Sequence, residues 1–546
     1  MTETLKNGVI LCQCHGRLTD SLPVDEICQF LRRRLPDISV VIVDDLCQPG
    51  VSYRLMQEQR LEPWVVGACP QLEHKSHFGE EAKSLGFDAY SIRIVDLLAE
   101  IALPLSTNEI AERVKLLLWA QVKRRSEFKG INQDKLRLRF PKPEGKISRR
   151  ELLTLVRPHY EVIPFIEPMR CRGYQECGLC VDTCPLRAIK VDQNEIAIDK
   201  TICNGCGACI VACPHNAIVY PTFSLEELDK EMEGLLLSKD IALDHRIIAA
   251  TCQSCSPTFG RDGGGQLSYP GSMLPVKVPC LAMVSPWLIL RAFDMGAQGF
   301  ALIASRGKCR SGFDSARWQE NIQFVQKLFN CWNIEPERLR LFEVAEDAPS
   351  NIKRKLSQFA REIARLEPTP LTISESTPVS IEGLSLSTLI KGLANKLGNS
   401  PREVVFTGNV PFGKVELDSS QCTGCGLCAL NCPTGALVVS SSEESDAYQL
   451  LFEHGSCVAC GRCVDICPEK CLRLDRILEL DKIDTPAVML FEDRIIRCRE
   501  CGSPIGPKAM MAKVQARLLA PGGSLPSQFE LCPMCKIKTQ NKWMGI

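Results

Sequence analysis

Cysteine carries whatever chemistry this sequence does. Cys203-Asn-Gly-Cys206-Gly-Ala-Cys209-Ile-Val-Ala-Cys213-Pro214 is an unbroken C-x2-C-x2-C-x3-C-P run. Thiolates at this spacing hold cubane iron–sulfur centres, three of a run binding one centre while the fourth reaches over to another. The run before it is Cys171-Arg-Gly-Tyr-Gln-Glu-Cys177-Gly-Leu-Cys180-Val-Asp-Thr-Cys184-Pro185, where Tyr174 stands in a cysteine position and the leading ligand slips back to Cys171. The crossing rule then assigns Cys184, Cys203, Cys206 and Cys209 to one [4Fe–4S] cluster. Cys171, Cys177, Cys180 and Cys213 fall to another, with a longer loop bridging the slipped ligand. Backbone N–H groups must approach the cluster sulfurs in a tight turn, and Gly178, Gly205 and Gly207 permit it.

The pattern returns in Cys422-Thr-Gly-Cys425-Gly-Leu-Cys428-Ala-Leu-Asn-Cys432-Pro433 and Cys457-Val-Ala-Cys460-Gly-Arg-Cys463-Val-Asp-Ile-Cys467-Pro468. Crossing pairs Cys422, Cys425 and Cys428 with Cys467, and Cys457, Cys460 and Cys463 with Cys432. All four runs end alike: Pro185-Leu-Arg-Ala-Ile, Pro214-His-Asn-Ala-Ile, Pro433-Thr-Gly-Ala-Leu and Pro468-Glu-Lys-Cys-Leu. Repetition at this detail marks a duplicated module in which proline ends ligation and an apolar pair packs behind it. Cys471 takes the small-residue place of that pair and reads as core. Both pairs of runs resemble bacterial two-cluster ferredoxins. Near the end, Cys498-Arg-Glu-Cys501 and Cys532-Pro-Met-Cys535 form two knuckles able to close a tetrahedral zinc site. A mononuclear iron stays open there, because the 30-residue gap exceeds the usual ribbon spacing.

Thirty-one cysteines in 546 residues could belong to an extracellular disulfide framework. Tight C-x2-C clusters cannot easily bridge each other, so metal binding in a reducing cytoplasm is the expectation. Met1-Thr-Glu-Thr-Leu-Lys lacks a basic secretory start, and the longest uncharged apolar segment, Val278 to Leu290, is too short for a bilayer and carries Pro279 and Pro286. Lys plus Arg, 65, balance Asp plus Glu, 65. No global field draws nucleic acid or anionic lipid, so protein partners are expected.

The remaining thiols stand at predicted strand ends. Val9–Leu11, Val40–Val43 and Trp64–Val66 read as buried parallel strands, with helices over Val24–Arg34 and Tyr53–Arg60. They run into Cys12 and Cys14, then Cys47, then Cys69. Ligands bind at the carboxyl edge of such a sheet, so four thiols should meet there. Cys28, inside a helix, reads as a buried apolar thiol. After a helix from Leu225 to Leu237 the logic repeats. His245–Ala250 leads to Cys252 and Cys255, Val276–Val278 to Cys280, and Gly299–Ile303 to Cys309, while Cys331 reads as structural.

Val9-Ile-Leu-Cys12-Gln-Cys14-His15-Gly16, Leu46-Cys47-Gln-Pro49-Gly50 and Gly67-Ala-Cys69-Pro-Gln-Leu-Glu-His74 resemble the amino-terminal domain of the heterodisulfide reductase A family. That resemblance implies a [4Fe–4S] cluster on four of the five thiols Cys12, Cys14, Cys28, Cys47 and Cys69, with Cys12, Cys14, Cys47 and Cys69 as the expected set. In that family a helix such as Thr107–Arg125, with Ile110, Val114, Leu117 and Leu118 on one face, precedes a flavin domain. No G-x-G-x-x-G fingerprint occurs, so no flavin is expected on this chain. Residues 245 to 365 resemble the methyl-viologen-reducing hydrogenase delta-subunit family, which implies a [2Fe–2S] cluster on Cys252, Cys255, Cys280 and Cys309. Ala304 falls where that family often has a further cysteine, and zinc is the alternative there.

The expected fold is multidomain α/β. Residues 1–125 form a parallel-sheet cluster domain and 126–165 a linker. Residues 166–222 form a two-cluster ferredoxin module of α+β type, and 223–365 a hydrogenase delta-subunit-like domain. A linker over 366–412, a second ferredoxin module over 413–480 and a zinc-ribbon-like tail over 481–546 follow. Five [4Fe–4S] clusters, one [2Fe–2S] and one Zn²⁺ would occupy 28 of the 31 cysteines. No nucleophile elbow, phosphate loop or paired-carboxylate motif accompanies them. The expected function is electron relay between cytoplasmic enzymes, a hydrogenase or formate dehydrogenase and a reductase. The alternatives are an accessory scaffold for maturation of a redox enzyme and a disulfide-reducing catalytic component.

Overall fold

The computed structural model describes residues 6–18, 21–46, 48, 50–58, 60–69, 81–88, 91–128, 137–139, 159–221, 223–252, 270–305, 315–344, 349–371, 385–398, 401–408, 410–442, 446–518 and 530–544. The chain forms two compact units. The first holds residues up to Leu389 except two short segments, and the second holds Arg172–Leu179, Gln193–Glu195 and Ile390–Ile546.

The first unit is built on two parallel sheets. Strands β1 (Lys6–Cys12), β2 (Ser39–Val43), β3 (Leu61–Ala68) and β4 (Arg93–Asp96) lie in the order β2-β1-β3-β4, all parallel. Helices α1 (Val24–Arg34) and α2 (Val51–Glu58) make the first two crossovers. Strands β5 (Ile247–Cys252), β6 (Met273–Val278), β7 (Gly299–Ser305) and β8 (Leu339–Val344) repeat the arrangement, in the order β6-β5-β7-β8 and again parallel. The alternation of β-branched runs with helical periodicity dictates this, since parallel strands need helical crossovers. In both sheets the second strand lies on one side of the first and the third on the other, so the strand order reverses at the first strand. That switch point is where an open α/β sheet opens its ligand crevice.

Helix α3 (Thr107–Ser126) starts at a capping box in which Ser106 and Glu109 satisfy each other's backbone. The expectation of one apolar face is too narrow here. Ile110, Val114, Leu117 and Leu118 are buried, but so are Arg113, Lys115, Arg124 and Arg125. The reason is that a second helix, α4 (Leu225–Leu236), packs along α3 in addition to the first sheet, with the Ala120 backbone against Gly234. A Cβ on Gly234 would come within 2.6 Å of the Ala120 Cα. Charges of α3 and the first sheet meet charges of α4: Arg124 Nη1 lies 2.5 Å from Glu231, and Arg93 Nη2 2.6 Å from Glu227. Behind the second sheet, Ala99 and Leu103 pack into one core with Ile247, Met273, Phe342 and Phe359. The two sheets are therefore parts of one folded body.

The stretch expected as a linker over 126–165 contains the antiparallel pair 137–139 with 159–161. Between 165 and 219, Phe165–Ile166 pairs antiparallel with Ile218–Val219, and Ile189–Asp192 pairs with Glu195–Ile198. Helix Leu386–Leu397, within which the second unit begins at Ile390, falls in the stretch read as the second linker. Strand Glu403–Val405 pairs with Ile477–Glu479, and Lys414–Leu417 with Leu472–Asp475. Strand Val488–Arg497, from the expected tail, pairs with Ala447–Phe452 and continues that sheet.

His454 anchors one end of this unit. It is 3 % exposed, and its Nε2 accepts the Glu479 N–H at 2.8 Å, so it sits as the neutral imidazole. Burial depresses its pKa despite the nearby Glu479 carboxylate. A depressed folded pKa means stability is full above the unfolded value and declines as pH falls, by at most about 1.4 kcal/mol per pH unit below roughly pH 6.5. Hydrogen exchange at the Glu479 amide should accelerate on acidification from about pH 8 to about pH 6, after correction for intrinsic exchange. His454→Gln, which keeps an acceptor without titrating, should flatten that response.

Candidate metal centres

The two ferredoxin-like stretches put their thiols on short loops and single helical turns. Leu179–Thr183, Ala208–Ala212, Leu427–Leu430 and Arg462–Asp465 each carry one cysteine inward, and Cys180, Cys209, Cys428 and Cys463 are buried. The slipped ligand of the first run is bridged by a helical turn, Gly173–Glu176. Behind each closing proline the expected pair is buried: Ala188 with Ile189, Ala217 with Ile218, Ala436 with Leu437, and Cys471 with Leu472. That burial turns backbone N–H groups onto sulfur. The Ala188 amide donates to Cys184 Sγ and the Ala217 amide to Cys213 Sγ, both at 3.3 Å. The Gly205 and Gly424 amides reach Cys203 and Cys422 at 3.5 and 3.4 Å. Such N–H···S bonds tune any cluster that the sulfur holds.

The loop glycines have the left-handed backbone that the turn requires, with φ of 72° at both Gly205 and Gly207. The fourth run departs from this: Ala459 occupies the position of Gly205 and Gly424 and still adopts φ 51°. Its carbonyl accepts from Arg476, which holds the strained turn in place.

Two hollows test whether these residues suit a cluster. One, of about 360 Å³ counting its open mouth, is walled by Cys184, Cys203, Cys206 and Cys209 together with apolar groups such as Pro164, Ile189 and Ile198. The other, about 330 Å³, is walled by Cys432, Cys457, Cys460 and Cys463 with Val415, Phe452 and Leu474. Each gathers three thiols of one run and the fourth of the other, the soft donor set a cubane needs in apolar walls. The residues fit. Burial, reinforced by neighbouring thiols, pushes Cys457 up to about 12 and Cys463 up to about 11. Both are therefore protonated at neutral pH without metal, and loading must release protons.

Of the other sets in these modules, Cys180 and Cys213 pack with Cys184 and Cys209 in one core. Cys177 is buried and Cys171 half-buried. Burial raises the Cys422 thiol, with Cys425 and Cys467 near enough to add to the effect, and burial pushes Cys428 up to about 12. The sequence missed a neighbour here. Cys471 is in the core as expected, yet its sulfur also lies 3.5 Å from Cys467 Sγ. The signal was the cysteine in the small-residue place, four positions beyond a ligand.

At the first sheet, Cys12 ends β1 and Cys69 follows β3, so they flank the switch point. Cys14 Sγ is 3.6 Å from Cys12 Sγ, and Cys12 also accepts the Leu46 amide at 3.4 Å. The Cys14 thiol, aided by the amides of Leu46 and Cys14, holds Cys12 down to about 6. At the second sheet, Cys252 ends β5 and Cys280 follows β6. Cys47, Cys255 and Cys309 lie outside the described residues. Cys28 is 1 % exposed on α1.

The sulfurs of Cys498, Cys501, Cys532 and Cys535 all lie within 4.8 Å of one another. Bonds of about 2.3 Å from a tetrahedral zinc would set its sulfurs about 3.8 Å apart, so small adjustments close the site. Cys501 and Cys532 are already 3.6 Å apart, and the Cys532 amide donates to Cys498 Sγ at 3.3 Å. No helix among the described residues is long and apolar enough to cross a membrane.

Parallel sheets and ferredoxin-like loops that gather thiols around apolar hollows define an iron–sulfur protein of several centres. The family described as methyl-viologen-reducing hydrogenase, delta subunit, matches residues 247–367; a 4Fe-4S dicluster domain matches 421–472, and a 4Fe-4S binding domain matches 195–218. The D-type iron-sulfur subunit of the F420-non-reducing hydrogenase of Archaeoglobus profundus is 28 % identical over 124 residues, 22 % of this chain and 90 % of that protein. A ferredoxin of Alicyclobacillus acidocaldarius is 38 % identical over 64 residues, 12 % of this chain and 81 % of its own length. The "Ferredoxin 7Fe" of Hydrogenibacillus schlegelii is 37 % identical over 57 residues, 10 % of this chain and 72 % of its own. Through this likeness the chain belongs to the ferredoxin family. It is an iron–sulfur electron-transfer protein related to the iron–sulfur subunits of hydrogenases.

Proposed function

We propose that the chain relays single electrons between two cytoplasmic enzymes, taking them from a hydrogenase or formate dehydrogenase and passing them to a reductase. The observation that carries this reading is the pair of thiol-walled hollows, each closed by three cysteines of one run and one of the other. A cluster held there supplies one-electron chemistry. The chain's part is to hold it by thiolates, exclude water with apolar walls and direct amide N–H groups at the sulfurs.

The finer assignment is five [4Fe–4S] clusters, a [2Fe–2S] on Cys252, Cys255, Cys280 and Cys309, and zinc on the last four cysteines. The first sheet, with thiols flanking its switch point, supports the amino-terminal cluster of a heterodisulfide reductase A-like domain. The zinc assignment rests on four sulfurs spaced for a tetrahedral ion in a segment with a small core of its own, around Leu531.

Full-length protein prepared without oxygen tests this. It should carry about 22 iron atoms and about one zinc per chain by the sum of these sites. With hydrogen and a hydrogenase as donor it should become reduced, then pass electrons to a viologen dye. A colourless, iron-poor preparation, or a loaded one that accepts no electrons, ends the relay reading.

A further inference from the structure

Within the first unit a ferredoxin loop is docked on the second sheet. Cys206 and Ala208 form one apolar cluster with Cys280 and Ala282, and Ala208, Cys280 and Ala282 are all buried. Cys280 begins the turn Leu281–Met283 that leaves β6, and that turn packs on the helical turn Ala208–Ala212. The fit is close. A Cβ on Gly207 would meet both Met283 Cγ and Met283 Sδ at 2.7 Å. Gly207 therefore serves two demands, a left-handed φ of 72° and a bare surface for Met283.

We propose that this contact is the internal electron junction of the chain. It would join the centre held by Cys184, Cys203, Cys206 and Cys209 to the centre held by the second sheet, with Gly207 and Met283 as positioning residues. The inference rests on the relay reading above and adds the order of two of its stations. Cys206 and Cys280, each assigned to a different centre, meet in one apolar cluster in which Cys280 is buried and Cys206 partly buried. Tunnelling falls steeply with distance and with water in the gap, and a low-dielectric contact also reduces the solvent rearrangement that accompanies charge movement. In the step one electron leaves one centre, oxidised by one, and enters the other, reduced by one. No bond forms or breaks, and neither thiolate takes up a proton.

The matched position in the fourth run supplies the control. Gly461 has the same left-handed backbone, φ 80°, but a Cβ there meets nothing within 4 Å. Gly207→Val and Gly461→Val both carry the backbone penalty, whereas only the first pushes Met283 away. Both are made in the full chain and reduced with dithionite. Microwave power saturation is then measured on the paramagnetic signal that Cys280→Ala removes. In the unsubstituted protein a reduced cubane next door should make this signal relax several-fold faster than it does in Cys209→Ala, which empties the cubane site. Gly207→Val should slow relaxation toward the Cys209→Ala value by more than any iron loss it shares with Gly461→Val accounts for, and Gly461→Val should leave the relaxation of the remaining signal alone. Equal relaxation in unsubstituted protein and Cys209→Ala overturns the junction, even where Gly207→Val does not fold. A preparation without clusters instead overturns the relay reading on which it rests.

Discussion

Arg113→Ala should destabilise the first unit by roughly 3–5 kcal/mol, the range for breaking a buried ion pair by removing one partner. Arg113 is 0 % exposed at the centre of α3. Its guanidinium bonds the Glu100 carboxylate on one side and the Gly271 carbonyl on the other. Glu100 belongs to the helical segment after β4, and Gly271 leads into β6, so a single side chain ties the first sheet to the second. Without it the Glu100 carboxylate stays in the interior with no guanidinium beside it. The loss should therefore exceed that of a surface pair, which is about 0–1 kcal/mol. The double variant Glu100→Leu with Arg113→Met should recover much of the stability, because an apolar pair of similar volume replaces the charges without desolvating anything. Denaturant titration of all three proteins checks this. A single-variant loss below about 1 kcal/mol would mean that the interior readily solvates the carboxylate.

The same residue shows where sequence stops being legible. The strands, their order of use and the cysteines at their ends could be read because apolar runs and thiol spacing are local properties. The burial of α3 could not. Arg113, Lys115, Arg124 and Arg125 look like a solvated face until the partners appear, and Glu227 and Glu231 lie more than a hundred residues away. Helix Leu386–Leu397 was legible in principle. Ser385 caps the Thr388 amide, and Leu389, Ile390, Leu393 and Ala394 are buried at helical spacing. The Pro, Ser and Thr breaks before it outweighed that signal. Strand Val488–Arg497 joins the sheet of the second ferredoxin module by pairing across some forty residues. No local pattern announces such a partner.

The crossing of ligands is an expectation of a different kind, drawn from the fixed loop lengths of each run. Each hollow is walled by three thiols of one run and one of the other, and iron counting tests whether a cluster binds across the runs. Cys432→Ala should remove one cluster of the second module, about four iron atoms. Adding Cys457→Ala should cost no further iron, since both thiols wall one hollow. Adding Cys422→Ala to Cys432→Ala should instead remove about eight, because the two belong to different centres although they share a run. If runs did not cross, these outcomes would exchange. Cys467→Ala should behave less severely than Cys432→Ala, because the Cys471 sulfur lies 3.5 Å from Cys467 Sγ and can take its place. Cys467→Ala with Cys471→Ala removes that reserve and should lose the full four atoms or so. Iron and acid-labile sulfide per chain, measured on anoxic preparations of the five variants, read the result directly. A single Cys467→Ala as iron-poor as the double would show that Cys471 is core and nothing more.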